Sequence, residues 1–189
     1  KLQGWMDSTL TNKGIEHSLR LQKRLEPINF TSIYSSPSGR AVHTANLIKG
    51  LQNIEIIPVE HLKEIHLGSW EGKTHDEVKL LEQERYEHFW NAPHLYVADS
   101  GETFEQLQQR VKNFLSSLVA KHTKGNILIV THTVFIKMLL AYVKQIPIRE
   151  LWGPPYIKDT SLSLIEIENG RGIIRLEADI EHLLTEEFI

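Results

Sequence analysis

The chain has 189 residues, 41% hydrophobic and 24% charged, enough for one soluble α/β domain with a sizeable core. A formal net charge of -3 leaves no basic footprint for nucleic acid, and the absence of cysteine excludes disulfides, thiolate chemistry and Cys-ligated metals. No apolar run approaches the length of a membrane span and no signal peptide is visible, so no membrane partner is expected and the expected location is the cytoplasm.

Residues 1–10 have no clear period and read as a loop. Thr11 suits an N-cap for a helix with Ile15, Leu19 and Leu25 inward, ended by Pro27. Residues 30–34 are strand-like. Residues 35–40, Ser-Ser-Pro-Ser-Gly-Arg, turn the chain into a second helix with Ala41, Ala45 and Ile48 inward. Residues 54–59 form a short strand that Pro58 places near a sheet edge. Residues 61–72 read as a packed loop and 74–87 as a short helix. Residues 90–96 read as a covering loop, whose Trp90, His94 and Tyr96 could shape a substrate pocket or staple the loop to the core. Ser100-Gly101-Glu102-Thr103 opens a long helix through Phe104, Leu107, Val111, Leu115, Leu118 and Val119. The unbroken apolar run at 126–130 fits a strand buried on both faces inside a parallel sheet, and residues 134–142 fit a well-covered helix. Asn169-Gly170 between two β-like runs signals a hairpin. This order predicts a three-layer α/β/α sandwich, mostly parallel, with a C-terminal antiparallel hairpin.

Three residues stand out for chemistry. His132 falls in the turn between the buried strand and its helix, the carboxyl end where open α/β sheets bind ligands, beside helical N–H groups that attract anions. Arg40 lies in the first turn of a helix, where a cation is locally unfavourable unless an anion shares the site. It fits either a phosphate clamp, with Ser35, Ser36 and Ser38 as further donors, or a pairing with a surface carboxylate. Glu64 sits between apolar neighbours, where burial would raise its pKa and suit it to proton donation; a solvated loop carboxylate is the other reading. Glu71 and Glu102 are weaker candidates. His61, Glu64 and His66 match no strong metal spacing, so no metal or cofactor is expected. Together His132, Arg40 and Glu64 suggest metal-independent phosphoryl chemistry on a small phosphorylated metabolite, without an obvious nucleophile.

On these residues the sequence resembles the histidine phosphatase superfamily, the phosphoglycerate-mutase-like fold. The matching segments are Leu2-Gln3-Gly4-Trp5 with Asp7 to Thr11, Ser35-Ser36-Pro37 with Gly39-Arg40-Ala41, Leu62-Lys63-Glu64 with Gly68 to Gly72, Gly101-Glu102-Thr103, and Val130-Thr131-His132. The middle of the chain is most similar to short bacterial broad-specificity phosphatases of the PhoE type. The resemblance implies that Arg40 clamps the phosphate, Glu64 acts as general acid and then base, His132 bonds phosphoryl oxygens, and Gln3 and Gly4 line the entrance. It also implies a nucleophilic histidine in an Arg-His-Gly motif ending a middle strand shortly before Leu2. No Arg-His-Gly occurs in this sequence. A protein starting at Lys1 is expected to be inactive by this mechanism, and the missing middle strand could provoke strand exchange into a homodimer. Thr133 stands where the family usually has Gly, and its side chain could crowd the phosphate or constrain the turn. The implied activity is hydrolysis of phosphomonoesters through phosphohistidine; the alternatives are a phosphoglycerate mutase and a non-catalytic phospho-ligand binder.

Overall fold

The computed structural model describes residues 1–168 and 170–184. Helix α1 (Asn12–Leu25) starts where Thr11 Oγ1 accepts the Gly14 N–H at 3.0 Å. Its buried face is Ser18, Leu21 and Leu25, at helical spacing. Leu19, expected inward, is 44% exposed because it is one residue round from that stripe. Strand β1 (Phe30–Ser35) feeds helix α2 (Gly39–Lys49), which buries Ala41, Ala45 and Ile48 as expected.

Strand β1 pairs in parallel with β2 (Ile56–Pro58) on one side and β3 (Asn126–Val130) on the other. The middle strand of this sheet is therefore β1. The strand at 126–130, expected inside the sheet, is an edge strand among the described residues. Its apolar run has a clear cause nonetheless. Leu128 and Val130 join Ile33, Ala41, Ala45 and Ile48 on one face, while Ile127 and Ile129 pack on a second cluster built around Phe114, Phe135 and Met138. Both faces are covered, so alternation in the sequence disappears.

The expected helix at 74–87 is broken in two, α3 (His75–Leu81) and α4 (Gln83–Asn91). The break is at Glu82, whose backbone leaves the helical region at φ -145°, ψ 51°, and whose carboxylate accepts Trp70 Nε1 at 3.1 Å. Trp90 belongs to the end of α4 rather than to a loop. Trp90, Tyr96, Trp70, Phe89, Phe104 and Trp152 form one aromatic cluster with neighbouring centroids 4.8–5.9 Å apart. Those rings staple the 60–104 segment to the core, at about 1.5–3 kcal/mol for each fully buried ring.

Helix α5 (Phe104–Lys121) opens with a capping box between Thr103 and Gln106, and buries Phe104, Leu107, Val111 and Phe114. Helix α6 (Thr133–Lys144) is buried on most faces. Even Lys137 is buried, donating to the carbonyls of Gly153 and Pro155. Strands β4 (Leu162–Glu168) and β5 (Arg171–Asp179) form the antiparallel hairpin, with Glu168 opposite Arg171. Gly170 has φ +75° in its turn, and Asn169 lies outside the described residues. Helix α7 (Glu181–Leu184) follows. No described helix is long and apolar enough to cross a membrane.

Candidate active site

The cleft lies at the carboxyl ends of β1 and β3, where both strands hand over to helices. It encloses about 230 Å³ and is lined by Gly4, Trp5, Asp7, Pro37, Ser38, Glu60, Lys63, Glu64 and His132.

His132 is the N-cap of α6. Its Nδ1 lies 3.3 Å from Arg40 Nη2, and its Nε2 lies 2.8 Å from Ser36 Oγ and 3.2 Å from Ser38 Oγ. A guanidinium only donates, so Nδ1 must be the acceptor and the ring proton resides on Nε2. Burial, with the Arg40 and Arg110 charges, pushes the His132 pKa down to about 3. The imidazole is thus neutral until an anion arrives.

Arg40 is held by the loop before α1. Its Nη1 donates to Met6 O at 2.6 Å and to Asp7 Oδ1 at 3.3 Å, and its Nη2 donates to Gly4 O at 3.0 Å. The two readings of Arg40 therefore merge: it pairs with a carboxylate and also stands beside His132. Asp7 solves the helix-start problem as well. Its carboxylate accepts the N–H groups of Gly39 and Arg40, which cap α2. Burial pulls its pKa upward, but those N–H bonds, that of Ser8 and the Arg40 charge outweigh it and hold the group below its usual range.

Glu64 reaches the other helix. Its Oε2 accepts the Val134 N–H at 3.1 Å, and its Oε1 accepts those of Phe135 at 3.2 Å and Ile65 at 2.9 Å. The anion attracted by the start of α6 is this carboxylate of the chain's own. Burial raises the Glu64 pKa despite the three N–H bonds and the Arg40 charge that oppose it.

The Glu64 loop is clasped from α5. Arg110 donates to the carbonyls of His61 at 2.7 Å, Lys63 at 2.6 Å and Glu64 at 3.1 Å, and is paired with Glu102 at 2.6 Å. Thr131 Oγ1 adds a bond to Leu62 O at 2.6 Å. Glu71 organises the facing loop, accepting the Trp5 N–H at 2.8 Å, the Met6 N–H at 3.1 Å and the Leu67 N–H at 3.1 Å. Gly4 has φ +54°, and a Cβ there would come within 2.3 Å of that carboxylate, so only glycine fits.

The structure thus brings Arg40, His132, Ser36, Glu64 and Gly4 together. Gln3 is exposed and its amide donates to Ser8 Oγ at 2.6 Å, and Thr133, next to His132, is the exposed first residue of α6. His61, Glu64 and His66 do not converge, since His66 stacks on Trp5 at 4.4 Å; no three described His, Asp or Glu side chains could hold a metal. Asp7 and Arg110 were missed by sequence reasoning. Neither has a local signal, because each acts on backbone groups more than 30 residues away.

The profile of the histidine phosphatase superfamily (branch 1) matches residues 1–180. The chain belongs to this superfamily. Its fold is shared with a solved structure of Bacillus stearothermophilus YhfR, 46% identical with a TM-score of 0.94 over 96% of this chain and 90% of that one. Among curated relatives, phosphoserine phosphatase 1 of Hydrogenobacter thermophilus is 28% identical over 92% of this chain and 82% of its own length. The adenosylcobalamin/alpha-ribazole phosphatase of Salmonella typhimurium is 30% identical over 79% of this chain and 74% of its own. Membership makes this histidine phosphatase a phosphoric monoester hydrolase, or a mutase using the same phosphoryl chemistry.

Proposed function

We propose that this chain carries the phosphate cradle and the proton donor of a cytoplasmic phosphatase acting on small phosphomonoesters, and that it folds as one domain. The observation that carries the reading is the Arg40 guanidinium 3.3 Å from the His132 ring on a cleft that Glu64 also lines. A phosphoryl dianion in that cleft adds a second anionic partner to Arg40, beside Asp7, and takes a proton-bearing His132 as a further donor. Glu64, with its raised pKa, gives its proton to the leaving oxygen and then takes one from the water that hydrolyses the phosphohistidine.

The resemblance puts the attacking imidazole in an Arg-His-Gly motif, which residues 1–189 do not contain. We place it on a strand seated along the outer edge of β3, which carries no described neighbour. A phosphate-release assay on residues 1–189 and on a longer chain with the gene's upstream residues tests this. Turnover is expected in the longer chain alone; turnover by residues 1–189 would refute the assignment of the nucleophile. Hydrolysis outpacing phosphoryl transfer, with no stimulation by bisphosphoglycerate, separates the phosphatase from a mutase.

A further inference from the structure

Two side chains at the mouth of the cleft stand outside the Arg40–His132–Glu64 group. Lys63 and Glu60 both line it, and their charged groups meet at 2.8 Å. They differ in how firmly they are held. The Glu60 side chain is 73% exposed, whereas that of Lys63 is 27% exposed. The Lys63 ammonium sits 4.5 Å from the Trp5 ring centroid, a cation–π contact. That indole is fixed in turn: its Nε1 donates to Glu64 O at 2.8 Å, its backbone N–H goes to Glu71, and His66 stacks on the ring. The Lys63 carbonyl is anchored by Arg110. The cation is therefore built into the site, one residue from Glu64, while its carboxylate partner is a solvated side chain whose pairing is worth under about 1 kcal/mol.

We infer that Lys63 selects phosphomonoesters whose leaving group carries a carboxylate, which takes the place of Glu60 on the ammonium. This rests on the phosphatase reading of the same cleft. A phosphoryl group held on the cleft side of Arg40 and His132 leaves the organic part of the ester to extend toward Trp5 and Lys63, which line the same cleft. An ammonium on an indole face gives that part a charge-assisted donor directed at an anion, and offers an uncharged hydroxymethyl group much less.

The test compares two esters with one difference, 3-phosphoglycerate and glycerol 3-phosphate, in which a hydroxymethyl group replaces the carboxylate. The natural full-length gene product is expected to show kcat/KM about tenfold higher for 3-phosphoglycerate. Lys63→Met keeps the stem over Trp5 and should bring the ratio to about one, with the larger loss on phosphoglycerate. Glu60→Gln removes the competitor and should raise the ratio. Equal kinetics for the two esters in the natural protein, or equal losses on both in Lys63→Met, would overturn the inference. Calorimetric binding of the same esters separates it from the phosphatase reading. If no ester is hydrolysed but phosphoglycerate still binds more tightly in a Lys63-dependent way, selection stands and hydrolysis falls. If p-nitrophenyl phosphate is hydrolysed and neither kinetics nor binding distinguishes the two esters, selection falls and hydrolysis stands.

Discussion

Two helices begin at the cleft, α2 after β1 and α6 after β3, and each has its first N–H groups occupied by a carboxylate from a distant part of the chain. Asp7 caps α2 and Glu64 caps α6. The motif is the same and the result is opposite. Asp7 is about half exposed, and there N–H bonds and Arg40 outweigh burial and hold it ionised. Glu64 is enclosed under the loop clasped by Arg110, and there burial outweighs three N–H bonds. A helix start accepts an anion in either case; the degree of enclosure decides whether that anion stays fixed or carries a proton.

The largest effect expected from breaking this contrast is at Glu64. In the full-length gene product, Glu64→Gln keeps the shape and one acceptor but cannot donate a proton from a carboxyl. Steady-state kcat on alkyl phosphates should fall about 10²–10⁴-fold, and by much less on p-nitrophenyl phosphate, whose leaving oxygen needs no proton. Equal losses on both would remove Glu64 as the donor. Arg40→Met comes next, with kcat/KM down about 10²–10³-fold and phosphate binding lost by calorimetry. Arg110→Met tests whether the clasp holds Glu64 in place. We expect kcat to fall by up to about a hundredfold with KM little changed, and Arg110→Lys to recover part of it.

At the ionised end of the comparison, Asp7→Ala should cost about 1 kcal/mol of stability as a lost cap, read as a shift in the denaturant midpoint. The last effect to measure is the pH dependence of stability. His132 is depressed from 6.5 to about 3 in the folded protein, so the unfolded chain binds a proton first. Stability from this group is present above pH 6.5 and is lost as pH falls through about 3. Glu64, raised above 4.5, acts the other way and costs stability as pH rises through its folded value. Urea midpoints of His132→Asn between pH 7 and 4 should therefore decline less than those of the natural chain.

Much of the frame was legible because local rules and tertiary needs agreed. Thr11, Thr74 and Thr103 all cap helices, and Ala41, Ala45 and Ile48 face inward at helical spacing. The positions of His132 and Arg40 followed from strand-to-helix turns. What stayed hidden depended on partners remote in sequence. The helix break at Glu82 answers to the Trp70 indole, and the edge position of β3 follows from pairing that periodicity does not encode. Asp7 looked like a loop residue because its meaning lies in the N–H groups of Gly39 and Arg40. Gln3 and Thr133 came from resemblance alone; Gln3 bonds Ser8, and Thr133 is the exposed first residue of α6.

The contrast between the two capping carboxylates can be read directly by carboxyl ¹³C NMR titration of residues 1–189, with Asp7→Asn and Glu64→Gln assigning the two signals. The account predicts that Glu64 titrates above its ordinary 4.5 and Asp7 below its ordinary 3.8. A Glu64 signal that titrates at or below 4.5 would contradict it, leaving two fixed anions and no proton donor in the cleft.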